Sequence, residues 1–401
     1  MYFVAGEASA DNHGAALMRS LRSADGDLRF IGRGGPQMKA VAGTNFQNWV
    51  DKSGVLGLWE VIKHYGYFRK QFHATLREIE KSKPDAVVLI DYPGFNLRLA
   101  RALRKQAPAQ KVIYYISPQV WAWNRGRIQK MARWLDLMLC IFPFEADLYN
   151  ESGLRTIFVG HPMIERLRER QPSQGYGSAT KIDIERDPNL IGLFPGSRAR
   201  EVKKIFPILI ETTRELRQSK QNLRFEVAAA SAGLADEMRK ILDENFATHL
   251  LPSSRGEARV RGDFESKERQ LFEIKVDQTA EIMQHAYVGI VASGSATLEA
   301  AYFRMPFVLI YKVAWPTYFA GRLLVKVKYL GMPNVLADKE IVPEFIQHRA
   351  RPKDLAKAIA QLLDNPTARE RMISEFDKIA VQLGESGASE RAATAILAEI
   401  A

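Results

Sequence analysis

Three turns in this chain combine the residue types that chemistry on a phosphorylated ligand needs. Each follows a short apolar run and precedes a periodic helical stretch. In Pro195-Gly196-Ser197-Arg198, small residues leave backbone N–H groups accessible at a helix start, and Arg198 adds a permanently charged fork suited to phosphate oxygens. In Ser293-Gly294-Ser295-Ala296-Thr297-Leu298-Glu299 the same cradle recurs. There Ser295 or Thr297 could donate to a diphosphate, and Glu299, one turn into the helix, could accept from a ribose diol. The third turn begins at Asp91, which ends the uninterrupted run Ala86–Ile90 and is followed by Tyr92-Pro93-Gly94. A carboxylate at the lip of a sheet can be partly desolvated and tuned toward a general base. Ordinary roles compete in each case: N-capping for the serines, a solvated arginine, a turn aspartate.

Other patterns point away from common chemistries. Gly6-Glu7-Ala8-Ser9-Ala10 misses the nucleophile-elbow spacing by one place and has no triad context at His161 or His285. Gly32-Arg33-Gly34-Gly35-Pro36 lacks the third glycine of a dinucleotide fingerprint and reads as a loop. Asp25-Gly26-Asp27 precedes a strand and is better explained as a turn than as a metal site. The histidines have no ligand spacing, so no metal is expected.

The elements that must position these turns alternate between strand and helix. Tyr2–Ala5, Leu28–Ile31, Ala86–Ile90 and Val112–Ile116 read as strands, with helices over Ala15–Leu21 and Asn96–Lys105. After the polar stretch Arg166–Pro188 the rhythm restarts: strands at Leu190–Phe194, Phe225–Ala229, Phe272–Val276, Tyr287–Ala292 and Phe307–Ile310, with helices at Val202–Leu216, Thr279–His285 and Ala296–Phe303. Such alternation predicts parallel sheets of α/β class, doubly wound, with ligands beyond the carboxyl ends of the strands. We expect a first domain over residues 1–170, a linker over 171–188, a second domain over 189–350 and packing helices over 351–401. The charged excursion Pro252–Arg269 has no assigned role.

At 401 residues, 46% hydrophobic and 26% charged, the chain is neither disordered nor fibrous. Its net charge of +11 implies an anionic partner: nucleic acid, phosphorylated metabolite or anionic lipid. A single cysteine, Cys140, rules out an internal disulfide and suits a reducing compartment as a buried thiol. No stretch reaches the roughly 18 apolar residues a spanning helix needs, and the N-terminus lacks a secretory pattern, so a cytoplasmic location is expected. Val55–Phe72 interleaves aromatic and basic residues and reads either as a core helix or as a segment lying on an anionic membrane; Trp59, Ile62, Tyr65, Phe68, Arg69 and Lys70 are its candidate membrane-facing residues.

Taken in order, the motifs resemble one family. Gly6-Glu7-Ala8-Ser9-Ala10-Asp11, Ile90-Asp91-Tyr92-Pro93-Gly94-Phe95-Asn96, Tyr115-Ile116-Ser117-Pro118-Gln119-Val120-Trp121-Ala122-Trp123, Phe142-Pro143-Phe144-Glu145, Val159-Gly160-His161-Pro162, Pro195–Arg198, Ala292–Glu299 and Met332-Pro333-Asn334-Val335-Leu336 are similar to those of the lipid A disaccharide synthases, inverting glycosyltransferases of the GT-B fold. The resemblance runs along almost the whole chain. It implies two Rossmann-like domains facing a cleft, and metal-independent transfer of the diacylglucosaminyl group of UDP-2,3-diacylglucosamine to 2,3-diacylglucosamine 1-phosphate, without a cofactor.

By the same resemblance the C-terminal half holds UDP through Gly196, Ser197, Arg198, Ser293, Gly294, Ser295, Thr297, Glu299 and Asn334. The N-terminal half holds the acylated acceptor, with Asp91 the leading base, Glu7 a second functional carboxylate, and Ser9, Asp11, Asn96, Ser117 and Trp121 on the acceptor side. The inner face of the cytoplasmic membrane is the implied location, and a homodimer through C-terminal exchange is within the family's range. Two departures stand out: Ala10 and Gly94 occupy places where the family often has glycine and a second acidic residue. A UDP-sugar 2-epimerase, which needs no acyl groove, and a basic peripheral membrane or nucleic-acid binding protein are the competing readings.

Overall fold

The computed structural model describes residues 1–50, 65–169, 185–247, 269–315, 318 and 327–401. The chain forms two compact units: Met1–Gly177 together with Gln382–Ala401, and Ser178–Val381. Among the described residues no helix is long and apolar enough to cross a membrane.

The first unit is built on a seven-stranded parallel sheet. Its strands are β1 (Tyr2–Ala5), β2 (Ile31–Gly34), β3 (Phe46–Asn48), β4 (Ala86–Ile90), β5 (Lys111–Tyr115), β6 (Leu137–Cys140) and β7 (Thr156–Phe158), in the spatial order β3-β2-β1-β4-β5-β6-β7. β1 and β4 are fully buried along their whole length, because helices cover both faces. A strand covered on both faces can be apolar at every position, which is why these two are continuous in the sequence. The order reverses between β1 and β4, which pair in register from Tyr2 with Val87 to Ala5 with Ile90. Ligands of doubly wound sheets bind at such a reversal, and Glu7 and Asp91 follow these two strands.

β2 differs from the expectation. The strand is Ile31–Gly34, so the segment read as a loop is the strand itself. A Cβ on Gly32 would stand 2.1 Å from the Phe3 carbonyl oxygen, and its φ of +136° suits only glycine, so the close approach of β1 dictates that residue. Arg33 is buried, against the usual fate of arginine, since it pairs with Glu78 and Gln71 and donates to the Tyr2 hydroxyl at 3.4 Å. These bonds tie the helix Tyr65–Ser82 to the sheet. Asp25-Gly26-Asp27 is a turn, with the Asp27 N–H donating to Asp25 Oδ1 at 3.0 Å. Cys140 is a buried free thiol.

The second unit carries a six-stranded parallel sheet of β8 (Asp187–Phe194), β9 (Arg224–Ala229), β10 (Phe272–Val276), β11 (Ala286–Ala292), β12 (Phe307–Tyr311) and β13 (Glu344–Ile346), in the order β10-β9-β8-β11-β12-β13. Its reversal lies between β8 and β11, whose carboxyl ends lead into Pro195–Arg198 and Ser293–Ser295. β8 begins inside the stretch expected as linker, of which residues 171–184 lie outside the described residues; so do residues 252–268 of the polar excursion.

The C-terminal helices divide between the units. Pro352–Asp364 packs on the helix Ala199–Arg217 of the second unit, whereas Ala388–Ile400 packs on Ala8–Ala24 of the first. There Ala392, Ala393 and Ile396 join Leu17 and Leu21 in one apolar core, and Glu399 pairs with Lys111 at 2.7 Å.

Candidate active site

Asp91 sits where β4 ends, and its backbone is unusual. Both Asp91 and Tyr92 hold left-handed conformations, with φ of 45° and 50°. Two successive non-glycine residues there are strained and need external support. That support reaches the backbone: Asn96 Nδ2 donates to the Asp91 carbonyl at 2.8 Å, the Tyr114 hydroxyl donates to the same oxygen at 2.5 Å, and the Asp91 N–H donates to the Tyr115 carbonyl at 3.0 Å. The Tyr92 ring lies over Gly6, where a built Cβ would stand 2.3 Å from it, so Gly6 is required for the ring to close this corner. Trp49 donates its indole N–H to the Ala5 carbonyl at 2.6 Å and packs edge-on to Tyr92 and Phe95.

The Asp91 carboxyl is pushed up from 3.8 to about 6, first by burial and then by the negative charge of Glu7, with a backbone hydrogen bond from Tyr92 opposing. Glu7, exposed, precedes the helix Ala8–Ala24. The two predicted carboxylates therefore share one end of the sheet and act on each other electrostatically. Such a pair suits a general base working near neutral pH.

The other residues expected on the acceptor side divide into exposed and buried ones. Asp11 is 2% exposed and accepts from the N–H groups of Gly35, Gln37 and Met38 at 2.8–2.9 Å. Both its oxygens accept backbone N–H groups at the start of the helix Pro36–Ala42. Asn96 is likewise buried beneath the site and acts through the backbone of Asp91. Ser9 is exposed and opens on a separate cavity of about 690 Å³ lined also by Asn12, His13, Glu165, Arg166 and Ser389. Ser117 and Trp121 are buried after β5, following Ile116, which is held at a φ of 66°.

Glu145 is the residue that sequence reasoning missed. It is fully buried, accepts from the Trp121 indole N–H at 2.9 Å and the Phe142 N–H at 3.3 Å, and also interacts with Ser117. Burial pushes its carboxyl up to about 7, with those hydrogen bonds opposing. Its local signal was readable: Phe142-Pro143-Phe144-Glu145 puts proline first and glutamate third in a helix, half of a capping box.

Of the expected membrane-facing residues, Trp59 and Ile62 lie outside the described residues, and the helix begins at Tyr65. Arg69 and Lys70 are exposed. Phe68 is partly buried and packs against the apolar core of the first unit.

In the second unit, Gly196 turns with a φ of +114°, and the exposed Arg198 stands at the N-cap position of the helix Ala199–Arg217 and pairs with Glu201 at 3.5 Å. Gly294 has a φ of +156° and open space where a side chain would stand. Ser295 is exposed beside it, and Glu299 is half-buried. Two further expected residues are buried and internally bonded. Thr297 is buried and donates its hydroxyl to the Gly294 carbonyl at 2.8 Å, closing the turn. Asn334 is also buried; it donates to the Val342 carbonyl and Glu344 and accepts from the N–H groups of Ile341 and Val342, all at 2.8–2.9 Å. With every hydrogen-bonding group of its amide engaged, Asn334 shapes the adjoining loop.

The sequence model for lipid-A-disaccharide synthetase (LpxB) matches residues 1–399, and a lipid-A-disaccharide synthase of Geobacter sulfurreducens is 36% identical over 397 residues, covering 98% of this chain and 95% of that one. The chain belongs to the lipid-A-disaccharide synthetase family. Family membership makes it a glycosyltransferase of lipid A and lipopolysaccharide biosynthesis. Solved structures agree on the fold alone. The glycotransferase of kitacinnamycin superposes with a TM-score of 0.57 at 15% identity, covering 99% of this chain and 98% of that one. The UDP-GlcNAc 2-epimerase of Neisseria meningitidis, solved with UDP-GlcNAc, gives 0.53 at 11% identity, covering 95% and 97%. The family's fold is thus GT-B-like, two doubly wound α/β units, each with its predicted ligand turns at the reversal of its strand order.

Proposed function

We propose that the protein transfers the diacylglucosaminyl group of UDP-2,3-diacylglucosamine to 2,3-diacylglucosamine 1-phosphate, with inversion and without a metal. The observation that supports this reading most is Asp91: a carboxyl at the strand-order reversal, half-desolvated, raised to about 6 and fixed by its backbone. Its carboxylate takes the proton of the acceptor hydroxyl as that oxygen attacks the anomeric carbon of the donor. UDP leaves with the bonding electrons from the opposite face, which inverts the configuration. Glu7 tunes the base, and Asn96 and Tyr114 hold it.

The second unit supplies the donor site. Arg198 and the N–H groups at the start of the 19-residue helix Ala199–Arg217 meet the diphosphate, with the open turn Ser293-Gly294-Ser295 beside them and Glu299 on the ribose. Positive charge from a guanidinium and oriented N–H groups stabilises the departing UDP in the role a metal plays elsewhere. Both substrates carry acyl chains, and the exposed Arg69 and Lys70 on the helix Tyr65–Ser82, with the overall charge of +11, suit peripheral attachment to the anionic inner face of the cytoplasmic membrane.

Mass spectrometry of purified protein given both substrates in detergent, with and without EDTA, tests the reading. Disaccharide 1-phosphate and UDP in equal yield under both conditions are expected. Loss of product with EDTA overturns the metal-free mechanism, and absence of product in both overturns the substrate assignment.

A further inference from the structure

The helix Pro143–Asn150 does more than fill space between β6 and β7. Glu145 and Tyr149, four residues apart, lie on one face of it. Each reaches the segment that follows β5. Tyr149 donates its hydroxyl to the Pro118 carbonyl at 2.8 Å, and Glu145 accepts the Trp121 indole N–H at 2.9 Å. The Phe144 ring meets Trp121 edge-on at 5.0 Å. At the head of the same segment Ile116, a β-branched residue at a φ of 66°, is held by its N–H to the Leu139 carbonyl at 2.9 Å. A β-branched residue does not settle there unaided. The segment is therefore held in a conformation that its own residues disfavour.

A fully buried carboxyl is costly to keep, and an apolar side chain would fill the same volume more cheaply. What Glu145 supplies instead is direction: one oxygen orients the Trp121 indole and the other engages the Phe142 N–H. The segment it fixes leaves β5 directly after the two residues that hold Asp91: the Tyr115 carbonyl accepts the Asp91 N–H and the Tyr114 hydroxyl donates to the Asp91 carbonyl.

We propose that Glu145 is a positioning residue which, through Trp121, sets residues 116–123 as a wall of the acceptor site beside Asp91. The proposal rests on the reading of Asp91 as the acceptor base. Glu145 touches no reacting atom, so its loss changes how the acceptor is bound more than how fast bound acceptor reacts.

Steady-state kinetics on Glu145→Gln, Glu145→Leu, Trp121→Phe and the Leu/Phe double variant, together with the UDP Kd and the melting temperature of each, tests it. Glu145→Gln retains an acceptor for the indole and should rescue. Glu145→Leu and Trp121→Phe should each raise the acceptor KM roughly tenfold, the scale of one buried charge-assisted hydrogen bond, with kcat and the UDP Kd little changed. The double variant should be no worse than the more affected single one. An unchanged acceptor KM in Trp121→Phe, or a double variant whose KM increase is the product of the two single effects, overturns the proposal. Should Glu145→Leu fail to fold, Trp121→Phe and Glu145→Gln carry the test. Full activity in Asp91→Asn would instead remove the base, a failure visible separately from the KM pattern of the Glu145 variants.

Discussion

Asn96 holds Asp91 by its main chain: the amide Nδ2 donates to the Asp91 carbonyl at 2.8 Å, leaving the carboxylate clear of that bond. Support and chemistry are thus separated on one residue, and substitutions at the two positions should fail differently.

Asp91→Asn keeps the shape of the side chain and removes the base. Turnover should fall by a factor of about 10²–10⁴, the usual contribution of a general base, while UDP affinity stays as in the parent. Single-turnover kinetics beside UDP calorimetry read both, and full turnover would take Asp91 out of the mechanism.

The pH profile should carry the same signature. A base raised to about 6 in the free protein is active only when ionised, so kcat/KM should fall as pH drops through about 6. The Glu7 charge is part of what raises it. Glu7→Gln should therefore move the acid limb to lower pH, and an unmoved limb would break the link between the two carboxylates.

Stability runs in the opposite sense. A carboxyl raised from 3.8 to about 6 on folding favours the folded state fully only below 3.8, and that benefit is lost as pH rises through about 6. Asp91→Asn, neutral throughout, should be more stable than the parent at pH 8 by ~3 kcal/mol, with the gain vanishing below pH 3.8. Urea melts at the two pH values measure it, and a pH-independent difference would contradict it.

Arg198→Ala should weaken UDP binding by ~1.5–3 kcal/mol, the worth of a hydrogen bond to a charged group. Arg198 is exposed and its Glu201 partner lies at 3.5 Å, so the melting temperature should barely move. Unaltered UDP affinity in calorimetry would reject its place on the diphosphate.

Asp11→Ala should act on the fold alone, leaving the N–H groups of Gly35, Gln37 and Met38 without their acceptor. A loss of about 2–4 kcal/mol in denaturant unfolding is expected, larger than for a simple helix cap because three donors are orphaned. A variant of parental stability but weakened acceptor binding would restore Asp11 to the ligand.

The sequence exposed what depends on single runs and hid what depends on distant partners. β1 and β4 were readable because burial on both faces leaves no polar position to interrupt them, and Asp91 stood out by ending such a run. Gly32 and Arg33 misled: glycine and arginine suggest a loop, and only the Phe3 backbone and Glu78, remote in sequence, make them strand residues. Strands of three or four residues, such as Phe46–Asn48 and Glu344–Ile346, are too short to show a period. Asn334 and Thr297 read as UDP-binding residues, and the sequence does not show that Val342, Glu344 and the Gly294 carbonyl engage their side chains.

The last helix, Ala388–Ile400, completes a core begun by Leu17 and Leu21 near the first residue. On the ribosome, the apolar side of Ala8–Ala24 must wait while nearly all the rest of the protein is made, about 20–70 s at roughly 5–20 residues per second. The whole of the second unit, Ser178–Val381, is synthesised within that interval, while the first still lacks one wall. A premature stop between Val381 and Ala388 would thus release a complete second unit joined to an unsealed first one, the kind of product that quality-control proteases recognise.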